Sequence, residues 1–174
     1  MKKKKEITNW NDMLSILPDE ILDILNKCKS VPQRSDYHPE APDDAVPHNV
    51  YAHIKIVFER SLETHDINFL LISIFHDLGK LLITKLNDKG FYSSSGHEMV
   101  SVRFVEKWKD WIKEQGADYD VVHFVTKNHM KMRILHQMKR HKREAFMAEK
   151  YYPEVKQFSV YDEMLNPKYG TFRK

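Results

Sequence analysis

The sequence predicts an all-α protein that folds as a single helical bundle. Its 174 residues include only 5 glycines and 7 prolines, and no alternating apolar and polar run of strand length stands out. Apolar residues instead recur at helical spacing along most of the chain. A chain of this length fits one domain and can bury a substantial core. We therefore expect one domain over residues 1–174, with an N-terminal helical lead-in over 1–30 and the core of the bundle over 31–165.

Two amphipathic helices are predicted in the first third of the chain. The first covers residues 18–27 and has a proline at its start, where a missing amide costs no helical hydrogen bond. Residues 29–47 are rich in Pro, Asp and Ser and are predicted to be irregular. The second helix begins at position 47 or 48 and ends near 62. Apolar residues at helical spacing mark these two helices: Ile21, Leu22, Leu25, Val50, Ile54, Val57 and Phe58.

A third helix is predicted to lie at the centre of the bundle. Asp66 can cap its start, and the run NFLLISIF at 68–75 is apolar almost all round, as expected of a buried helix. Gly79 is a natural residue to end this helix, although a short continuation through KLLITKL is possible.

The second half of the chain continues with helices. Ser95 and Glu98 have the spacing of a capping box, which predicts that a helix begins at SGHE after the turn-like NDKGFYSS. Apolar residues at helical spacing extend this helix to about residue 112. Further helices are predicted at about 118–127, 130–149 and 154–165.

Composition favours a soluble, cytoplasmic protein. The hydrophobic share of 41% and the charged share of 30% are ordinary for a globular chain. The longest apolar run, near residues 69–75, is far shorter than the ~20 residues of a membrane helix, so no membrane partner is expected. The start, MKKKKEITNW, lacks the apolar stretch of a secretory signal. The single cysteine, Cys28, cannot form an intrachain disulfide, which suits a reducing compartment.

Positive charge is concentrated in residues 127–150. This segment holds eight Lys or Arg residues against Glu144 and Glu149, while the whole chain has a net charge of +3. Such a basic face could attract a phosphate-bearing ligand. A solvated helix surface would have the same composition, and both interpretations remain open at this stage.

Histidine and aspartate residues indicate a metal site. A His-Asp pair at the end of a buried helix can hold an ion where helices meet, although neighbouring helical residues project about 100° apart. A buried carboxylate also needs a partner or a metal. Imidazole with carboxylate suits a transition metal better than calcium. Each lone histidine is also compatible with a surface or structural role. The candidate ligands are His53, His76, Asp77, His97, His129 and Asp162.

The order of these residues resembles the H…HD…D signature of the HD-domain metal-dependent phosphohydrolases. The likeness extends to VPQRSDYHPE, HDLGK, SGHE and NHMKMR, which are similar to the HD domain fused to some bacterial tRNA nucleotidyltransferases (CCA-adding enzymes), over about residues 31–165. It implies an HD-type helical bundle. The sequence shows no nucleotidyltransferase domain, so the resemblance does not imply CCA addition by this chain. His48 is an alternative to His53, and Asp120 is the alternative to Asp162.

The resemblance implies a role for each matching residue. His53, His76, Asp77 and Asp162 would hold one divalent ion, of Mn, Ni, Co, Fe, Zn or Mg. His97 and His129 would hold a second ion or the substrate phosphate, with Asp77 bridging two ions. Asp77 and Lys80 would be catalytic, Asp77 by orienting or deprotonating the attacking water and Lys80 by binding a phosphate oxygen, although Lys80 also suits the end of a helix. The candidate substrate-binding residues are His38, Glu40, Arg133 and Lys142.

The function implied is a metal-dependent phosphohydrolase acting on a nucleotide or RNA-end phosphate, of the 2',3'-cyclic phosphodiesterase or phosphatase type. One alternative is a nucleotidase or triphosphohydrolase of free (deoxy)nucleotides. Another is a non-catalytic HD module that binds nucleotide or RNA. A helical interaction protein that uses its basic face is a third. Loss of activity on removing His76 or Asp77 would favour the enzyme, whereas dependence on Lys139, Arg140, Lys142 and Arg143 would favour the interaction protein.

Overall fold

The computed structural model describes residues 6–33, 49–90 and 92–163, which are mainly α-helical. The α-helices are α1 (Trp10–Leu14), α2 (Asp19–Lys27), α3 (Val50–Ser61), α4 (Ile67–Phe75), α5 (Lys80–Ile83), α6 (His97–Lys107), α7 (Lys109–Glu114), α8 (Tyr119–Asn128), α9 (Arg140–Met147) and α10 (Tyr152–Glu163). Short 3-10 helices cover Cys28–Ser30, Leu62–Thr64 and His129–Gln137. The all-α prediction is confirmed.

A small hairpin interrupts the helices after α5. Strands β1 (Lys85–Leu86) and β2 (Tyr92–Ser93) pair antiparallel, with Lys85 opposite Ser93 and Leu86 opposite Tyr92. This sheet could not be predicted from the sequence, because two-residue strands are too short to show an alternating pattern.

Helix α4 is the buried centre of the fold, as predicted. Every residue from Phe69 to Phe75 is at most 4% exposed. The Asp66 side chain caps the helix by accepting a hydrogen bond of 2.8 Å from the Asn68 amide. Apolar side chains from α1 to α10 surround it in one hydrophobic core. None of the helices in the described ranges has the length and apolar character needed to cross a membrane.

Gly79 has a different role from the predicted helix terminator. Helix α4 ends at Phe75, and Gly79 has φ −61°, a conformation open to any residue. A β-carbon at Gly79, however, would collide with the backbone carbonyl of His97 and lie 2.7 Å from the Ser101 amide nitrogen. The Gly79 amide also donates to Ser101 Oγ at 2.8 Å. Glycine is therefore needed because the turn after α4 lies directly against α6, and the chain continues into the short helix α5.

The predicted capping box does not form at the start of α6. The N-cap is Gly96, with φ +83°, and no side chain caps the helix. The Ser94 carbonyl instead accepts from the His97 amide at 3.0 Å. Gly96 allows the left-handed turn that makes this arrangement possible. The start of α6 is therefore set by the backbone, and the Glu98 side chain is not used for capping.

Two predicted helix bounds were also wrong. The helix from 95 to about 112 divides at Trp108, whose φ of −99° and ψ of 22° separate α6 from α7. The predicted helix at 130–149 is a 3-10 helix over His129–Gln137 followed by α9. Apolar periodicity continues across both breaks, so it did not reveal them.

Candidate metal centre

Six predicted ligands converge in the interior of the bundle from five parts of the chain. Helix α3 contributes one at its fourth residue, and the turn after α4 contributes two. The first residue of α6, the residue after α8 and the end of α10 each contribute one. All are at most 3% exposed: His53, His76, Asp77, His97, His129 and Asp162. Residues far apart in the sequence are thus brought together by helix packing.

Four of these residues form the first half of the cluster. His53 Nε2 lies 2.9 Å from Asp162 Oδ1 and 3.4 Å from Asp77 Oδ2. His76 Nε2 lies 3.4 Å from each of the same two oxygens. The two Nε2 atoms are themselves 3.4 Å apart. Two ring nitrogens and two carboxylate oxygens therefore face one small volume.

Asp77 also belongs to a second half of the cluster. Its other oxygen, Oδ1, lies 2.9 Å from His97 Nε2 and 3.7 Å from His129 Nε2. The Nε2 atoms of His97 and His129 are 3.1 Å apart. The Asp77 carboxylate therefore lies between two groups of histidines, with one oxygen directed to each.

Backbone carbonyls orient three of the rings. The Nδ1 atoms of His76, His97 and His129 lie 2.8–2.9 Å from the carbonyl oxygens of Ser73, Ser94 and Thr126. A carbonyl can only accept, so each Nδ1 carries the proton. In the neutral ring the Nε2 atom is then an unprotonated ligand directed into the cluster.

Both carboxylates are held in the ionised form. Burial would raise the pKa of Asp77, but His76 and Lys80 outweigh it and hold that pKa well below the usual range. Burial opposes ionisation of Asp162 too, yet Arg133 and the neighbouring histidines keep its pKa well below the usual value. The cluster therefore presents two negative charges.

The pKa values of the buried histidines shift in different directions. Burial lowers the pKa of His53 and of His129, which favours their neutral, metal-binding form. Burial also acts to lower the pKa of His76, but the charges of Asp77 and Asp162 raise it overall. The two carboxylates thus favour the charged form of His76 more than solvent alone would.

The donor set fits a transition metal. Two nitrogen ligands about 2.1 Å from one ion, at tetrahedral or octahedral angles, lie roughly 3.0–3.4 Å apart, which matches the spacings across this cluster. His53, His76 and Asp77 form one group of ligand atoms that could hold a metal ion, and Asp77, His97 and His129 form another. Asp162 Oδ1 adds a further carboxylate oxygen beside the first group.

Two cations stand at the edge of the cluster. Lys80 Nζ lies 2.8 Å from Asp77 Oδ2 and donates to Gln33 Oε1 at 3.3 Å. Arg133 lies 3.4 Å from Asp162 Oδ2. Both side chains also line a cavity of about 420 Å³. An anion in this cavity would therefore meet positive charge next to the buried ligands.

The same cavity is bordered by His97 and by the residues that precede it. Residues 92–96 form one wall, and Met130 and Ile134 contribute apolar surface. This volume lies at the lower end of the range for small-molecule pockets. The cavity thus connects one ligand of the cluster to a space large enough for a small molecule.

Other predicted residues lie elsewhere. Lys142 is exposed on α9 and is not among the described residues that line the cavity. Asp120 is exposed in the first turn of α8, whereas Asp162 lies in the cluster. His38, Glu40 and His48 lie outside the described residues.

Several groups that contact the site could not be assigned a role from the sequence. Gln33 belongs to the quoted VPQRSDYHPE segment, and that match was the available signal. The carbonyls of Ser73, Ser94 and Thr126 gave no signal, because a backbone oxygen is the same for every residue type. Their importance follows only from the positions of the rings.

The chain matches no protein-family model, no curated protein and no solved structure.

Proposed function

We propose that this protein is an HD-type metal-dependent phosphohydrolase acting on a nucleotide or RNA-end phosphate. The observation that carries the proposal is the Asp77 carboxylate, which lies between two buried groups of histidines beside a cavity with two cations. A structural role alone would not require four imidazoles to direct Nε2 towards two ionised carboxylates. The proposed compartment is the cytoplasm, since the only cysteine, Cys28, is a free thiol.

The bound metal would be Mn, Ni, Co, Fe, Zn or Mg, as one or two ions. Such an ion lowers the pKa of water and neutralises phosphate charge. His53, His76, Asp77 and Asp162 would hold the first ion. His97 and His129 would hold the second ion or contact the phosphate. The nitrogen-rich donor set favours the transition metals among these over Mg.

The remaining chemistry is assigned to side chains beside the ligands. Asp77 would accept a hydrogen bond from the attacking water and orient it towards phosphorus. Lys80 Nζ, now on Asp77 Oδ2 at 2.8 Å, would donate to a phosphoryl oxygen once metal neutralises that carboxylate. Arg133 would do the same from its position beside Asp162. The substrate phosphate would thus be held between two cations.

The test is hydrolysis by purified protein supplied separately with Mn, Co, Ni, Zn, Fe or Mg. The substrates are a 2',3'-cyclic nucleotide, a nucleoside monophosphate, a nucleoside triphosphate and a short RNA ending in a 2',3'-cyclic phosphate. Asp77→Asn keeps the size of the side chain but removes its charge. Asp120→Asn is the matched control, since Asp120 is exposed on α8.

We expect metal-dependent turnover in the parent protein and in Asp120→Asn, and its loss in Asp77→Asn. Preference for the RNA over the free cyclic nucleotide would indicate RNA-end processing. Turnover of free nucleotides alone would favour a nucleotidase or triphosphohydrolase. Tight metal binding without turnover of any substrate would reject the enzyme and favour a non-catalytic nucleotide- or RNA-binding module.

A further inference from the structure

The cavity beside the metal centre contains an acidic side chain with no part in the proposed reaction. Glu98 lines it together with Lys80, His97 and Arg133. Glu98 Oε2 lies 3.7 Å from His97 Nδ1, but that nitrogen already donates to the Ser94 carbonyl at 2.9 Å. Glu98 forms no capping bond at the start of α6 either. Within the ranges that the structure describes, the Glu98 carboxylate therefore has only this long contact with His97 and can act on whatever enters the cavity.

The charges around the cavity suit one phosphate group. Among the described residues that line it, Lys80 and Arg133 are cationic and Glu98 is anionic. When a divalent ion neutralises Asp77 and Asp162, the two cations can pair with the about two negative charges of a phosphomonoester. Further phosphates would find no additional Lys or Arg among these lining residues, whose remaining charged side chain is that of Glu98.

Helix α6 adds to this effect. Its N-terminus, at Gly96 and His97, borders the cavity, and a helix N-terminus ordinarily favours anions. Glu98 stands in the first turn of α6 and offsets that partial positive charge. Glu98 thus also weakens the attraction that the N-terminus of α6 would otherwise have for a polyphosphate.

We propose that the cavity takes a substrate with a single phosphate, a phosphomonoester or cyclic phosphodiester on a nucleoside-sized body, and that Glu98 excludes nucleoside triphosphates by charge repulsion. This inference rests on the proposed function and narrows its substrate class. The cavity volume of about 420 Å³ agrees with one small molecule. One unit charge at about 6 Å, with an effective dielectric between 20 and 80, changes an equilibrium roughly 3- to 100-fold.

The experiment compares single-phosphate and triphosphate forms of the same nucleoside on the metal-loaded full chain. Both kcat/KM and the dissociation constant from titration calorimetry are measured for the parent protein, Glu98→Gln and Glu98→Lys. Glu106→Gln is the matched control, because Glu106 lies on the same helix with an exposed carboxylate that bonds to His123 at 3.0 Å. Thermal unfolding verifies that each variant is folded.

We expect the parent protein and Glu106→Gln to prefer the single-phosphate ligand at least about 10-fold. Glu98→Gln should reduce that preference roughly 3- to 100-fold, and Glu98→Lys should reduce it further. Equal preference in the parent protein and both Glu98 variants, or a parent protein that prefers the triphosphate, overturns the inference. Absence of turnover with every ligand overturns the proposed function alone, since the ratio of dissociation constants still decides the role of Glu98.

Discussion

The Nε2 atoms of His97 and His129 lie 3.1 Å apart, although the Nδ1 atom of each ring faces a backbone carbonyl. Both Nδ1 atoms must donate to those carbonyls, so two neutral rings would direct their lone pairs at each other. A cation between the two nitrogens would remove this repulsion. Asp77 Oδ1, 2.9 Å from His97 Nε2, supplies negative charge at the same place. Asp77, His97 and His129 therefore form a group that could hold a second metal ion.

The first prediction is that the protein binds two ions and that His97→Ala binds one. The His53 group would remain complete in this variant, because Asp77 Oδ2 faces that group and Oδ1 faces His97. Stoichiometry is measured by elemental analysis after dialysis against Mn or Zn. His123→Ala is the control, since His123 pairs with the exposed Glu106. A single ion in the parent protein, or an unchanged count in His97→Ala, would contradict two separate sites.

The His76-Asp77 pair could be singled out from the sequence because its side chains are themselves the signal. His76 and Asp77 follow an apolar run, and burial of an ionisable pair requires a partner. The central position of α4 could also be predicted, because residues 68–75 are apolar almost all round and leave no polar face for solvent. These features depend on residue type and local order alone. They predicted the His76-Asp77 pair and the helix that precedes it, whereas the set of His53, His97, His129 and Asp162 rested on the resemblance in the order of these residues along the chain.

The features that the sequence analysis misassigned depend on contacts between distant segments. The glycine at position 79 suggested the end of a helix. Glycine is needed there because the backbone of His97, on another helix, leaves no room for a β-carbon. Ser95 and Glu98 have the spacing of a capping box, but Gly96 takes a left-handed conformation and starts α6 without them. A local pattern can be satisfied in more than one way, and tertiary packing selects among them.

The second prediction is that Gly79→Ala destabilises the fold and disturbs the second half of the cluster. The added methyl group would collide with backbone atoms of His97 and Ser101, which cannot move aside as a flexible side chain does. We expect a loss of about 1–3 kcal/mol in the free energy of unfolding by urea. We also expect weaker binding of the second ion that we propose at His97.

The control for this substitution is Gly90→Ala. Gly90 has φ +78° and open space around it, so alanine there should cost about 1–2 kcal/mol through backbone strain alone. Metal stoichiometry should not change in the control. If Gly79→Ala retained full stability and both ions, close approach of the turn to α6 would not be what requires glycine.

The third prediction is that Lys80→Met lowers the rate of catalysis without weakening metal binding. The substitution keeps an unbranched side chain of similar length but removes the charge that lies 2.8 Å from Asp77 Oδ2. We expect kcat to fall roughly 100-fold, as for loss of one donor to a transition-state oxygen. Metal affinity should be retained or increase, because a cation next to the ligand oxygen is gone. Lys85→Met, exposed on β1, is the control for loss of a lysine.

The test measures kcat with the preferred substrate and metal affinity by titration, both on the same protein preparations. A fall in metal affinity that accounts for the whole loss of activity would show that Lys80 supports the ligands and does not act on the phosphate. Unchanged kinetics in Lys80→Met would remove Lys80 from the reaction.

The fourth prediction concerns the thiol of Cys28, which is fully buried. Burial, with a smaller contribution from the charge of Asp77, raises its pKa to about 12. At pH 8 only about one thiol in ten thousand would then be the reactive thiolate. We expect no labelling of the native protein by a disulfide reagent at this pH, and one labelled thiol per chain in denaturant. Labelling of the native protein should therefore proceed only through unfolding.

Metal should slow that labelling if the ligands lie where the structure places them. An ion that binds only the folded chain, at 100 times its dissociation constant, stabilises it by about 2.7 kcal/mol and should reduce the labelling rate roughly 100-fold. Asp77→Asn should lose this protection, whereas Asp120→Asn, altered at an exposed position, should keep it. Rapid labelling of the native parent protein would show that Cys28 is accessible. Equal protection of both variants would show that the ion binds away from Asp77.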